Sequence, residues 1–133
     1  PWDVARRPAT RYVARLLGLT LLGGQASDGE VALDGGGVLH VPSEEIADGD
    51  VLVAVRPSAV SLHAERPEGS ARNVWNGVVD GVERIGDRVR VAVRGAPTVM
   101  VDVTPGAVAD LQLAQGREVW LSVKATELEV YPA

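Results

Sequence analysis

The sequence contains no cysteine and no phenylalanine, and only 4% of its residues are aromatic. Without cysteine there can be no disulfide, thiolate metal site or cysteine nucleophile. The same absence is compatible with a reducing compartment. Without Phe, a core has to be assembled mainly from Val, Leu and Ala. A hydrophobic content of 46% supplies enough of these for a packed core and argues against wholesale disorder. No apolar run approaches the roughly 20 residues of a membrane-spanning helix, and the start carries no signal-peptide pattern. Positive charge is also short, the net charge being −5. An acidic chain has no general attraction for nucleic acid, and scarce aromatics remove the usual stacking platforms. It does not attract a free oxyanion over long range either, so anion recognition has to come from a local cluster of donors.

Glycine and proline are plentiful instead, at 15 and 8 residues, and they punctuate Val-rich alternating runs. That is the pattern of short strands joined by turns. A length of 133 residues suits one domain, or two small lobes sharing a core. The chain begins on Pro1 rather than Met, as a piece of a longer protein would. Residues 1–18 read as a helical segment: Thr10 caps it, Tyr12, Val13, Leu16 and Leu17 form its apolar face, and Gly18 ends it. From there the pattern turns to β. Strands are expected at 20–26, 30–34, 38–41, 51–56 and 60–63, and again at 73–84, 87–94, 98–103, 118–124 and 127–131. A short helix is expected over 104–111, with Thr104 at its cap and Pro105 in its first turn.

The two sets of strands are related. Val51–Leu62 aligns without a gap on Val119–Val130, placing Arg56 on Lys124, Pro57 on Ala125 and Ser58 on Thr126. The opening segments also compare, with Leu21-Leu22-Gly23 beside Trp75-Asn76-Gly77. A duplicated five-strand module favours an all-β fold of two small barrels of oligonucleotide/oligosaccharide-binding (OB) type, one short helix lying in the second lobe. The polar link around His63–Gly69 divides a first lobe, 19–66, from a second, 67–133.

Catalysis finds little support in this sequence. His40 and His63 have no Asp or Glu at ligand spacing. Ser70 lacks a nucleophile-elbow context. The carboxylates Glu44, Glu45, Asp48 and Asp50 sit in a turn-rich connector, and no phosphate-binding Gly-x-x-x-x-Gly-Lys-Ser/Thr loop occurs. Binding is better served. Ser70-Ala71-Arg72-Asn73 offers a hydroxyl followed by main-chain N–H groups, and Val123-Lys124-Ala125-Thr126 adds an ammonium and another hydroxyl. Thr104 contributes a third hydroxyl at a helix start. Brought together, these donors suit a tetrahedral oxyanion, whose buried charge must be compensated locally. Taken singly, each has a plainer reading: a strand cap, a surface charge, a helix cap.

The run from Ser70 to Tyr131 resembles the molybdate-binding Mop (molbindin) domain, which carries Ser-Ala-Arg-Asn at its first strand and a Lys-Ala-Thr/Ser stretch near its end. Val103-Thr104-Pro105-Gly106-Ala107-Val108 is similar to the family's Thr-containing helix start. Pro105 is a departure, standing where molbindins often have Lys or Ser. Pro8–Gly18 and Val53–Val60 resemble the segment that follows the nucleotide-binding domain in bacterial importer ATPases. The whole chain therefore resembles the C-terminal regulatory (TOBE/Mop) region of a molybdate ABC importer's ATP-binding subunit. The resemblance implies molybdate or tungstate as ligand, held by Ser70, Arg72, Thr104, Lys124 and Ala125, with Asn73 and Thr126 as lesser contacts. It implies no catalysis by this piece, ATP being bound by a missing domain that residues 1–18 lead from. It further implies a homodimer, contact with membrane permease subunits through that missing domain, and a cytoplasmic place at the inner face of the membrane. Two other readings remain open: an accessory domain of an importer for another solute, such as sulfate, iron or sugar, and a molybdate-buffering molbindin.

Overall fold

The computed structural model describes residues 18–42, 46–69 and 73–133. The expected N-terminal helix lies outside the described residues except for Gly18, as do Glu44, Glu45, Ser70, Ala71 and Arg72.

Val-rich alternation between glycine turns gives strands close to those expected. The first half forms β1 (Thr20–Ser27), β2 (Glu30–Leu33), β3 (Val38–His40), β4 (Gly49–Val55) and β5 (Ser61–His63). The second forms β6 (Asn73–Ile85), β7 (Arg88–Gly95), β8 (Val99–Val103), β9 (Glu118–Val123) and β10 (Glu129–Pro132), with helix α1 (Pro105–Leu111) between β8 and β9. Gly86, at φ +61°, makes the tight β6–β7 turn that a side chain would strain. Thr104 caps α1 by accepting the Ala107 N–H at 3.1 Å. Short 3-10 turns follow β4 at Pro57–Ala59 and β9 at Ala125–Glu127, at matching places in the repeat. The fold is thus all-β and duplicated. Since Pro57 and Ala125 produce the same turn, the proline is not what makes it.

Strand pairing shows what periodicity could not. The two sheets run β10-β4-β1-β2-β3 and β5-β9-β6-β7-β8. Each sheet takes one edge strand from the other half: Ser61–His63 pairs with Trp120–Ser122, and Glu129–Pro132 with Val51–Ala54. Covering an edge in this way removes a row of unpaired N–H and C=O groups. Pairing also corrects the repeat by one residue. Gly24 lies opposite Val51 and Gly77 opposite Val119, so Leu22-Gly23-Gly24, not Leu21-Leu22-Gly23, matches Trp75-Asn76-Gly77. Both glycines are sterically required. A Cβ would lie 2.6 Å from the Ala32 carbonyl oxygen at Gly24, and 2.5 Å from that of Arg94 at Gly77.

One hydrophobic cluster runs through both halves, joining Val31, Leu39 and Val53 to Val79, Val91, Val101 and Leu121. Each fully buried side chain of this size contributes about 1.5–3 kcal/mol, and both halves contribute to the one cluster. Polar clasps reinforce the joint. The first residue of each copy's first strand crosses to the other copy's third strand. Asn73 accepts the His40 N–H at 2.7 Å and donates to the His40 carbonyl at 3.0 Å, while Thr20 accepts the Met100 N–H at 3.3 Å. On the outer face of β7, Arg90 is only 8% exposed. Its guanidinium lies against Gly18 and is held by Asp102 at 2.8 and 3.1 Å.

Candidate functional site

Arg56 and Lys124 each precede one of the 3-10 turns, with nearly identical backbone angles (φ −77°, ψ 137° and φ −72°, ψ 140°). The strand exchange brings the two turns to a common open pocket of about 230 Å³. Arg56, Ser58 and Ser61 line it from the first copy, and Ser122, Lys124 and Glu127 from the second. Ser61 and Ser122 are direct partners across β5 and β9. Residues directly opposite in an antiparallel pair project to the same face, which is why both hydroxyls reach the pocket. Where Glu127 stands in the second copy, the first has Ala59, also on the lining.

The charges around this pocket are partly committed. Arg56 Nη2 lies 2.6 Å from Glu129 Oε1, and Tyr131 donates its hydroxyl to Glu129 Oε2 at 2.8 Å. The Tyr131 hydroxyl first, and the Arg56 guanidinium beside it, hold the Glu129 carboxyl below the usual carboxylate range despite some desolvation. The same hydrogen bond raises the Tyr131 phenol above its ordinary value. Lys124 is exposed, and among the described residues no carboxylate lies within ion-pair distance of it. Beside the pocket-lining Ser122, His63 Nε2 lies 2.8 Å from its Oγ. That length suits a nucleophile–base pair, but among the described residues no carboxylate orients the other ring nitrogen. The arrangement offers several hydrogen-bond donors to the pocket.

The expected site residues divide. Ser70 and Arg72 lie outside the described residues. Lys124 lines the pocket; Ala125, half-buried, and Thr126, exposed, lie on the adjoining turn without lining it. Thr104 is exposed at the start of α1, one lone pair engaged by its own cap. Asn73 is buried at 3% exposure, with both ends of its amide engaged by His40. Val123 pairs with Asn73 across β9 and β6, so this clasp fixes the strand end from which Lys124 projects. Reading by sequence passed over Arg56, Ser58, Ser61 and Ser122. The signal for the first two was present, since the repeat sets Arg56 on Lys124 and Ser58 on Thr126. Among the described residues no three of His, Asp and Glu gather as a metal site, and no helix is long and apolar enough to cross a membrane.

Comparison with known proteins follows the same lines. Residues 69–130 match the TOBE domain family. Over 98% of its length the chain is 34% identical to the molybdenum import ATP-binding protein ModC of Mycobacterium tuberculosis. Over 98% it is also 30% identical to the molybdate/tungstate import ATP-binding protein WtpC of Pyrococcus horikoshii. It spans 37% of the length of each of these relatives. Among solved structures, it resembles the cytoplasmic molybdate-binding protein ModG, crystallised with molybdate bound, with a TM-score of 0.72. That match covers 86% of this chain and 96% of ModG at 24% identity, a likeness of fold.

Proposed function

We propose that the chain, whose residues 69–130 match the TOBE domain family, is the oxyanion-sensing part of a molybdate or tungstate importer's ATP-binding subunit. The observation that carries this reading is Lys124, which stands in a Lys-Ala-Thr stretch of Mop type and projects into a pocket lined by further donors. The names of the relatives support the solute: one is a molybdenum importer subunit and another serves molybdate or tungstate. ATP hydrolysis belongs to the part of such a subunit that precedes this piece. The partners are then the membrane permease, reached through that ATPase part at the cytoplasmic face, and a second copy of the chain.

In this proposal the anion is held by Ser70, Arg72, Thr104, Lys124, Ala125 and Thr126, while Asn73 positions the strand ends. A charge-assisted hydrogen bond contributes about 1.5–3 kcal/mol, so three or four of these donors give micromolar binding or tighter. The regulatory step is inhibition of import by its own product. Molybdate that has accumulated inside binds and stabilises an arrangement of the paired chains that keeps the ATPase parts from engaging. The anion can shift that equilibrium only by its differential affinity for the two arrangements.

Calorimetric titration of the chain with molybdate, tungstate and sulfate tests the proposal. Saturable binding of molybdate or tungstate, with a raised melting temperature, is expected; at a hundredfold excess over Kd the stabilisation is about 2.7 kcal/mol. Absence of heat and of thermal shift with all three anions rejects the sensor and leaves a non-binding accessory domain.

A further inference from the structure

We propose that the pocket between the two 3-10 turns is an oxyanion site completed inside a single chain, with the first repeat supplying Arg56, Ser58 and Ser61. It rests on the reading above that this chain takes oxyanions, and it specifies that the first repeat shares in binding whether or not a second chain pairs.

Several observations converge on it. The first is composition: two cations, Arg56 and Lys124, and three hydroxyls, Ser58, Ser61 and Ser122, converge from both repeats on one pocket. Arg56 has guanidinium N–H groups beyond the one held by Glu129, and Lys124 has no ion-pair partner among the described residues, so both can donate to an anion. Size is the second. About 230 Å³ lies below the roughly 300–1,000 Å³ of sites for drug-sized ligands. A water occupies about 30 Å³, so the pocket suits a small inorganic anion with some of its waters. Preorganisation is the third, because Glu129 fixes the Arg56 guanidinium at 2.6 Å and is itself fixed by Tyr131. From the same face of β5 as Ser61, His63 engages Ser122 Oγ and limits its rotation.

The carboxylates set the terms of selection. Glu129 is committed to Arg56 and Tyr131, but Glu127 lines the pocket with no partner of its own among the described residues. A carboxylate there opposes a second negative charge on the ligand. The pocket is therefore tuned below the maximum affinity its donors allow for a dianion, as suits a sensor that must release its ligand. The first copy has Ala59 at the corresponding position, so this control is specific to the second turn.

The test is calorimetric titration of the 133-residue chain with sodium molybdate, alongside R56Q, S61A, K124A, E127Q and E129Q, with light scattering to count chains. Melting curves confirm that each variant folds. Affinity is expected to fall about tenfold or more in R56Q and S61A, the loss of one charge-assisted hydrogen bond. E127Q should bind more tightly. E129Q, which removes the Arg56 ion pair but leaves the cation, should still bind. Wild-type affinity in both R56Q and S61A, with binding lost in K124A, overturns the intrachain site and leaves the proposed function standing. Loss of binding in E129Q equal to that in R56Q shows that Arg56 acts only through its ion pair and also overturns it. No heat with the wild-type chain removes both.

Discussion

Asn73 holds both backbone hydrogen-bonding groups of His40, accepting from its N–H at 2.7 Å and donating to its carbonyl at 3.0 Å. A side chain that sits beside the expected anion donors is therefore a splint between the halves. Asn73→Ala leaves the His40 N–H and carbonyl unpaired in a part-buried place, at about 1–3 kcal/mol for each such group. A total of about 2–6 kcal/mol is expected as a lower urea midpoint with an unchanged m-value. A loss below about 0.5 kcal/mol contradicts the clasp.

Arg90 and Asp102 make a second prediction. Removing one member of a buried pair strands the other's charge, at about 3–5 kcal/mol. Asp102 also has Arg88 at 3.4 Å, and both Arg90 and the Asp102 side chain are under one-tenth exposed. Asp102→Ala should destabilise by about that amount in chemical denaturation, and Arg90→Met combined with Asp102→Leu should recover much of it. An arginine keeps its charge throughout the working pH range, so no pH there relieves the stranded charge in the single variant.

Glu129 gives the chain an acid-sensitive joint. Its folded-state pKa is lowered, so the stability it adds is present above the ordinary carboxylate pKa and is lost as pH falls through the folded value. The joint it serves is the pairing of β10 with β4, since Arg56 follows β4 directly. Titration of Glu129 by NMR should show a midpoint below that of a free glutamate. Tyr131→Phe, which removes the largest cause, should move it back upward. An unchanged midpoint in that variant contradicts the assignment.

Much of this architecture could be read before the fold was known, and the reasons are local. Valines alternating between glycine turns set the strands to within a few residues, and Val51–Leu62 against Val119–Val130 revealed the duplication. Alternation says that a residue lies in a strand but not which strand it pairs with, so the exchange of β5 and β10 was invisible. Adjacent glycines Gly23-Gly24 left the register of β1 open by one residue, and only the Val51 and Val119 pairings decide it. The short segment around Asn73 resembles an anion-binding motif, whereas its clasp on His40, far away in sequence, is visible only in the fold. Arg56 was visible as the partner of Lys124 in the repeat; that both reach one pocket follows only from the exchange.

The central claim is that this chain holds an oxyanion among the donors around Lys124. Anomalous diffraction at the tungsten edge, from crystals grown with tungstate, tests it most directly. The account predicts an anomalous peak within about 3–4 Å of the Lys124 ammonium, the distance set by charge-assisted hydrogen bonds to a tetrahedral anion's oxygens. A peak elsewhere, or none in crystals that diffract well with tungstate present, contradicts it.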